Sequence, residues 1–93
     1  AYADALSNMG VALAETGALV EGEPYLARAI ALNPVDPDLH ANHGTVLAGL
    51  GRVSEALVAY RRASALAPEN ADYAARASLL ADALGTTIRP RPR

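Results

Sequence analysis

Two histidines three residues apart are the part of this sequence that comes nearest to metal chemistry. His40 and His43 would face the same side of a helix, because residues at this spacing lie about one turn apart. A zinc site needs three or four ligands, and no third ligand accompanies the pair. We therefore predict that both side chains pack between helices, and that the chain binds no metal ion and no cofactor.

Groups that could carry out nucleophilic catalysis are isolated from one another. The sequence contains no Cys, which excludes thiol catalysis and disulfides. Its Ser and Thr residues are scattered through predicted helices and turns, with no base placed to activate them. We therefore predict no catalytic residues and no enzymatic activity.

Composition and charge limit the class of partner. The 93 residues allow one domain, and the formal net charge is −2 with no Lys. This balance lacks the basic surface of a nucleic-acid-binding protein, so we predict a protein or peptide partner and no nucleic acid. No apolar run approaches the roughly 18–20 residues of a membrane span, so we predict no membrane insertion. The composition does not fix the compartment, and we favour the cytoplasm.

An internal repeat of 34 residues organises the chain. Small, proline and core-type residues recur at this spacing: Gly10 and Gly44, Gly17 and Gly51, Ala29 and Ala63, Leu32 and Leu66, Pro34 and Pro68. A period of 34 residues with two helical patterns per unit is typical of a helix–turn–helix solenoid. The sequence thus predicts an all-α, right-handed superhelix of two repeats and a fifth, capping-type helix.

The predicted boundaries divide the chain into four parts. The first repeat covers 1–34, with helices over about 3–15 and 18–32, and the second covers 35–70, with helices over about 37–49 and 53–67. A half repeat or capping helix covers 71–85, and an extended Arg/Pro tail covers 86–93. Alternating Arg and Pro in 89–93 favours polyproline II.

Helix ends are indicated by residues with special backbone or capping behaviour. Gly17 and Gly51 are expected just past helix C-termini, where glycine adopts a left-handed conformation. Asp36 and Asn70 are expected to cap the third and fifth helices, and Ser54 the fourth.

Pro24 predicts a break in the second helix. Proline cannot donate a backbone hydrogen bond, and its ring clashes with the carbonyl four residues earlier in a helix. The helix is therefore expected either to start late, with Pro24 in its first turn, or to kink at this residue.

The repeats resemble the tetratricopeptide repeat, in which large, small and proline residues occupy fixed positions. The second repeat matches that pattern as His40-x2-His43-Gly44-x2-Leu47, Ala56-x3-Tyr60 and Pro68. The first matches it as Leu6-x2-Met9-Gly10-x2-Leu13, Gly22-x3-Leu26 and Pro34. Gly22 replaces the usual Ala and suggests looser packing. The segment 3–10 is also similar to the repeats of O-linked N-acetylglucosamine transferases.

The resemblance implies a concave groove, lined by the first helix of each repeat, that binds a peptide or partner protein. The corresponding positions here are Asp4, Asn8, Val11, Asp38, Asn42, Thr45, Asp72, Arg76 and Leu79. Asn8 and Asn42 would hold a ligand backbone, since an amide side chain both donates and accepts hydrogen bonds. The alternative for the three Asp residues is that they only stabilise helix N-termini.

Three functions follow as hypotheses. The first is a protein–protein interaction module, from a longer repeat array or a multidomain protein. The second is a self-associating structural module that uses an apolar edge on the fifth helix and the basic tail: Tyr73, Ala77, Leu80, Leu84, Arg89, Arg91 and Arg93. The third is a non-catalytic appendage of an enzyme such as a glycosyltransferase.

Overall fold

The computed structural model describes residues 2–88, and the side chains of residues 2–85. Its elements are five α-helices: α1 Tyr2–Glu15, α2 Leu19–Leu32, α3 Pro37–Gly49, α4 Val53–Leu66 and α5 Ala71–Ile88. Each helix packs against the next one in the chain, and α1 also contacts α3. The predicted all-α, helical-repeat fold class is confirmed.

The same hydrogen-bonded turn ends the first helix of both repeats. Gly17 and Gly51 have φ angles of 90° and 82°, in the left-handed region that glycine adopts without strain. The amide of Ala18 then donates to the Leu13 carbonyl at 2.8 Å. Thirty-four residues later, Arg52 donates to the Leu47 carbonyl at 2.9 Å. These turns start α2 and α4 in equivalent places.

Side-chain caps begin two of the helices as the sequence indicated. The Asp36 carboxylate accepts a hydrogen bond from the Asp38 amide at 3.0 Å, and Pro37 occupies the first turn of α3. Asn70 accepts from the Asp72 amide at 3.0 Å. The cap expected at Ser54 is wrong, because α4 begins at Val53 and Ser54 lies within the helix.

Pro24 lies inside α2, so the expected late start is wrong. The carbonyl that loses its hydrogen-bond donor belongs to Val20, four residues earlier. Val20 is 71% exposed and Pro24 is also exposed. Water can therefore hydrogen-bond this carbonyl, which lowers the cost of a proline within the helix.

The fifth helix is longer than expected and continues through residues 86–88, which the sequence assigned to the tail. A helical Gly such as Gly85 costs only about 1 kcal/mol relative to Ala, and the next proline is Pro90. The extended conformation expected for Arg89, Arg91 and Arg93 lies outside the described residues.

The inner face of α5 covers the second repeat. Ala77 joins a buried cluster with Ala41, Leu57, Tyr60 and Ala63. Packed against that cluster are the partly buried side chains of Tyr73, Leu80, Ala81 and Leu84. The apolar residues predicted to form an uncovered edge are therefore used inside the molecule, because α5 turns this face towards α4.

Glycine permits a close contact between α1 and α2. A Cβ atom on Gly22 would lie 2.6 Å from the Gly10 carbonyl oxygen, and one on Gly10 would lie 2.8 Å from Cγ of Leu26. The looser packing expected at Gly22 is wrong, since the backbone of α1 leaves no room for a Cβ atom there. In the second repeat, Gly44 faces the ring of Tyr60, which a Cβ atom would meet at 3.0 Å.

Replacing Gly22 with Ala tests this contact. The substitution should lower the free energy of unfolding by about 1–3 kcal/mol, because the methyl group would displace backbone, although Ala favours a helix over Gly by about 1 kcal/mol. Urea unfolding followed by circular dichroism measures the change.

Gly49→Ala is the matched control. The three atoms nearest to its Cβ would all belong to the Leu19 side chain, the closest at 3.2 Å, and this side chain can move. This variant should be neutral or slightly stabilised. Equal stabilisation of both variants would contradict the close contact between α1 and α2 at Gly22.

Candidate functional site

Three clefts lie along the surface formed by α1, α3 and α5, and together we call them the groove. The polar cleft, of about 320 Å³, is lined by Asp4, Ser7, Asn8, Asp36, Asp38, Leu39 and Asn42. The apolar cleft, of about 340 Å³, is lined by Val11, Ala14, Glu15, Leu19, Asn42, Thr45, Val46 and Gly49. The α5 cleft, of about 230 Å³, is lined by Thr45, Ala48, Tyr60, Arg76, Leu79 and Leu80.

The three clefts are neighbours that share lining residues. Asn42 lines both the polar and the apolar cleft, and Thr45 lines both the apolar and the α5 cleft. Of the nine predicted groove residues, all except Asp72 line at least one cleft. Asp72 lies 3.6 Å from the Arg76 guanidinium, in an exposed ion pair. A role of these residues in binding stays a prediction.

Asn42 is held in place by a residue that sequence reasoning missed. Its side-chain amide donates to the Ser7 hydroxyl at 3.1 Å, which joins α3 to α1. Ser7 is only 4% exposed and is one of the few buried polar residues. The repeat gives no signal for this bond, because the residue 34 positions after Ser7 is Ala41.

A second hydrogen bond joins α5 to α3. The Tyr73 hydroxyl donates to the Asp38 carboxylate. This bond, with burial and the charges of Asp38, Asp36 and Asp72, raises the pKa of Tyr73 to about 12. The carboxylates of Asp36, Asp38 and Asp72 thus all act on Tyr73, where the N-terminal turns of α3 and α5 meet.

Tyr60 connects the α5 cleft to the core. Its ring is buried against Gly44, and its hydroxyl is hydrogen-bonded to the Thr45 hydroxyl. The Tyr60 phenol and the Asp72 carboxylate raise the pKa of the Arg76 guanidinium. Arg76 therefore stays cationic and gives this end of the groove a positive charge.

The two histidines have separate structural partners. His40 is 5% exposed, and its Nε2 lies 2.7 Å from the Pro34 carbonyl oxygen, to which it can donate. Nε2 of His43 lies 2.7 Å from a carboxylate oxygen of Glu23. Glu23 is on α2, and nothing in the spacing indicates that pairing. Within residues 2–88, no group of three or more His, Cys, Asp or Glu is arranged to hold a metal ion.

The opposite side of the molecule has a further cleft, of about 350 Å³, between α2, α3 and α4. Its walls include Ile30, His43, Val58 and Arg62. Sequence reasoning treated the arginines of α4 as a solvated outer face and missed this cleft. In the sequence, Val58 is an apolar residue close to those arginines and could have indicated this cleft. In the structure its side chain is 47% exposed.

The described residues define an all-α helical-repeat domain with three neighbouring clefts along α1, α3 and α5. A model of the bacterial transcriptional activator domain family matches residues 2–89, which is nearly the whole chain. The chain therefore belongs to the bacterial transcriptional activator domain family. Its repeats are similar to tetratricopeptide repeats, but the family is not the tetratricopeptide family itself. A search of the curated proteins gave no significant match.

Family membership corrects one prediction and supports another. The prediction of no nucleic-acid partner is wrong, because this domain is found in transcriptional activators, which bind DNA. The net charge of one domain says little about the partners of the protein that contains it. The domain is regulatory and non-catalytic, in agreement with the prediction that the chain is not an enzyme.

The expected location and membrane behaviour rest on separate findings. A transcription-factor domain is consistent with the favoured cytoplasmic location. None of the helices among residues 2–88 has the length and hydropathy needed to cross a membrane. Self-association stays a prediction, and its three arginines lie outside the described residues.

The raised pKa of Tyr73 predicts a loss of stability at alkaline pH. A phenol whose pKa in the folded protein lies above its ordinary value of 10.0 contributes its full stabilisation at pH values below 10.0. Its contribution is lost as the pH rises towards about 12. Urea unfolding of the wild type should therefore show a decline over this interval that Tyr73→Phe lacks, although the variant is less stable at neutral pH.

Tyr2→Phe is the matched control, because it also removes a phenol that is hydrogen-bonded between helices, to Arg28 at 3.3 Å. It retains Tyr73 and should show the same alkaline decline as the wild type. A decline of equal size in Tyr73→Phe would refute the assignment.

Proposed function

We propose that this chain is a protein-interaction module of a bacterial transcriptional activator, and that its groove binds an extended segment of a partner protein. The row of three neighbouring clefts that share Asn42 and Thr45 is the observation that carries the proposal. Family membership supports a regulatory role, and an activator must contact other proteins as well as DNA.

Two amides provide the binding chemistry. Asn8 is exposed, so its whole amide can bond a ligand. Asn42 uses one N–H for Ser7 and retains a second N–H and its carbonyl oxygen. Such a group can bond the amide and carbonyl of a peptide backbone without reading its side chains. Affinity then depends on an extended backbone, and selectivity on the side chains that enter the flanking clefts.

Helix spacing sets the length of the bound segment. Packed helices lie about 8–10 Å apart, and an extended chain rises about 3.3 Å per residue. Neighbouring helices would therefore engage every second or third residue of a ligand. A segment that crosses α1, α3 and α5 needs about seven residues.

A peptide library tests the proposal. Unbiased peptides of about seven residues, displayed on phage, are selected against the chain, and the selected peptides are then titrated into isotope-labelled protein. The amide resonances of Asn8, Asn42 and Thr45 should shift. Asn8→Ala should weaken binding about two- to tenfold, the cost of one hydrogen bond, with an unchanged thermal midpoint.

Ser7→Ala is the control for indirect effects. It removes the hydroxyl that positions Asn42 but leaves both Asn side chains in place. It should lower stability by about 1 kcal/mol and weaken binding less than Asn8→Ala does. Selected peptides that shift only residues of the opposite cleft, such as Ile30 and Val58, would disprove groove binding.

A further inference from the structure

We infer that the groove selects an extended segment in which basic side chains alternate with apolar ones, with the basic side chains placed over α1 and α3. This inference rests on the proposed function and names the chemical class of its ligand. It follows from the order in which residue types cross the groove, and from the two-fold alternation of side chains in an extended chain.

Three rows of residues cross the helices at the 34-residue period. The acidic row is Asp4, Asp38 and Asp72, the amide row is Asn8, Asn42 and Arg76, and the apolar row is Val11, Thr45 and Leu79. A helix rises about 1.5 Å per residue. The acidic row therefore lies about 6 Å to one side of the amide row, and the apolar row about 5 Å to the other side.

A strand laid along the amide row meets a different wall on each side. Its successive side chains point in opposite directions, while its backbone polar groups lie roughly perpendicular to them. If Asn8 and Asn42 bond that backbone, odd-numbered side chains reach the acidic row and even-numbered ones the apolar row. The alternation is thus imposed by the groove and not by any single contact.

The negative charge along the acidic row is greatest over α1 and α3. Asp36 caps α3 and lines the polar cleft together with Asp4 and Asp38, which adds a third carboxylate to this end. The Asp38 carboxylate also accepts the hydrogen bond of the Tyr73 hydroxyl, which holds it at this end of the groove. Over α5, Arg76 lies 3.6 Å from Asp72 and offsets its charge. The positive side chains of a ligand therefore belong over α1 and α3.

The apolar wall offers room for aliphatic side chains. Val11, Leu19 and Val46 line the apolar cleft of about 340 Å³. Further along, Leu79 is 69% exposed at the α5 cleft. An apolar ligand side chain would remove these groups from water, and each buried aliphatic side chain can contribute favourably.

The basic residues Arg89, Arg91 and Arg93 are a competing occupant of the acidic row. From the level of Asp72, α5 extends about 24 Å to Ile88. The five residues 89–93 span at most about 17 Å when fully extended. Their backbone therefore falls short of the level of Asp72 in the same chain, and a second copy could supply them with less extension.

Three synthetic peptides of about seven residues separate the contributions of charge and alternation. The first alternates arginine and valine, the second has the same composition in two blocks, and the third alternates glutamate and valine. Fluorescence anisotropy with the wild-type chain should show the first peptide binding at least about fivefold tighter than the others. Equal affinity for the blocked peptide would overturn the alternation, and equal affinity for the glutamate peptide would overturn the charge preference.

Charge variants of the protein locate the contact. Asp38→Asn keeps an oxygen that can accept the hydrogen bond of Tyr73. It should lower the affinity for the arginine–valine peptide about two- to fivefold. Asp82→Asn removes one carboxylate from an exposed position that lines no part of the groove, and it should change nothing. Equal weakening by both variants would reduce the effect to net charge and overturn the inference.

Two further outcomes are distinguishable. Library-selected peptides that shift Asn8 and Asn42 but lack alternating basic residues would overturn this inference and leave the proposed function standing. Selected peptides that never shift the resonances of Asn8 and Asn42 would overturn both this inference and the proposed function. A chain that stops at Ile88 should bind the arginine–valine peptide as the full chain does. A several-fold gain on this truncation would identify the tail of another copy as the occupant and overturn the assignment to a partner protein.

Discussion

The contact of α1 with α2 at Gly10 and Gly22 is the constraint on which the rest of the structure depends. A chain without Phe or Trp and rich in Ala has little volume with which to fill wide gaps between helices. Its interior reaches native packing density only if the helix backbones approach closely. Gly22 allows this, because any Cβ there would lie 2.6 Å from the Gly10 carbonyl oxygen. In the second repeat the space between the helices is filled in another way, because the Tyr60 ring packs directly against Gly44.

Close packing also explains why the first helices of the repeats present matching rows. Once each helix pair is fixed, the equivalent turns at Gly17 and Gly51 return the chain to the same relative position. Cross-helix hydrogen bonds then join these helices to one another, from Asn42 to Ser7 and from Tyr73 to Asp38. The groove is therefore built partly from the bonds that hold α1, α3 and α5 together.

Local features of the fold could be predicted from the sequence, and non-local ones could not. Glycine conformations and capping side chains act within a few residues, so Gly17, Gly51 and Asp36 were interpreted correctly. Periodicity showed that Tyr73 and its neighbours share one face of α5, but not that this face packs against α4. The pairing of His43 with Glu23 depends on two helices meeting, which no spacing within either helix reveals. The rows of the groove followed from the repeat, whereas Ser7 lay outside it.

The hydrogen bonds that join α1, α3 and α5 bear on how the groove could recognise a ligand. A side chain that is already fixed by a neighbour loses little rotamer entropy when a ligand arrives. Asn42 is fixed by Ser7, and Asp38 by Tyr73, so the amide and acidic rows are partly ordered before binding. Selectivity can then come from weak, repeated contacts over three helices, because no large ordering cost must first be overcome. A formal net charge of −2 over the whole chain is compatible with membership in the bacterial transcriptional activator domain family, since part of the negative charge, from Asp4, Asp36 and Asp38, lines the polar cleft.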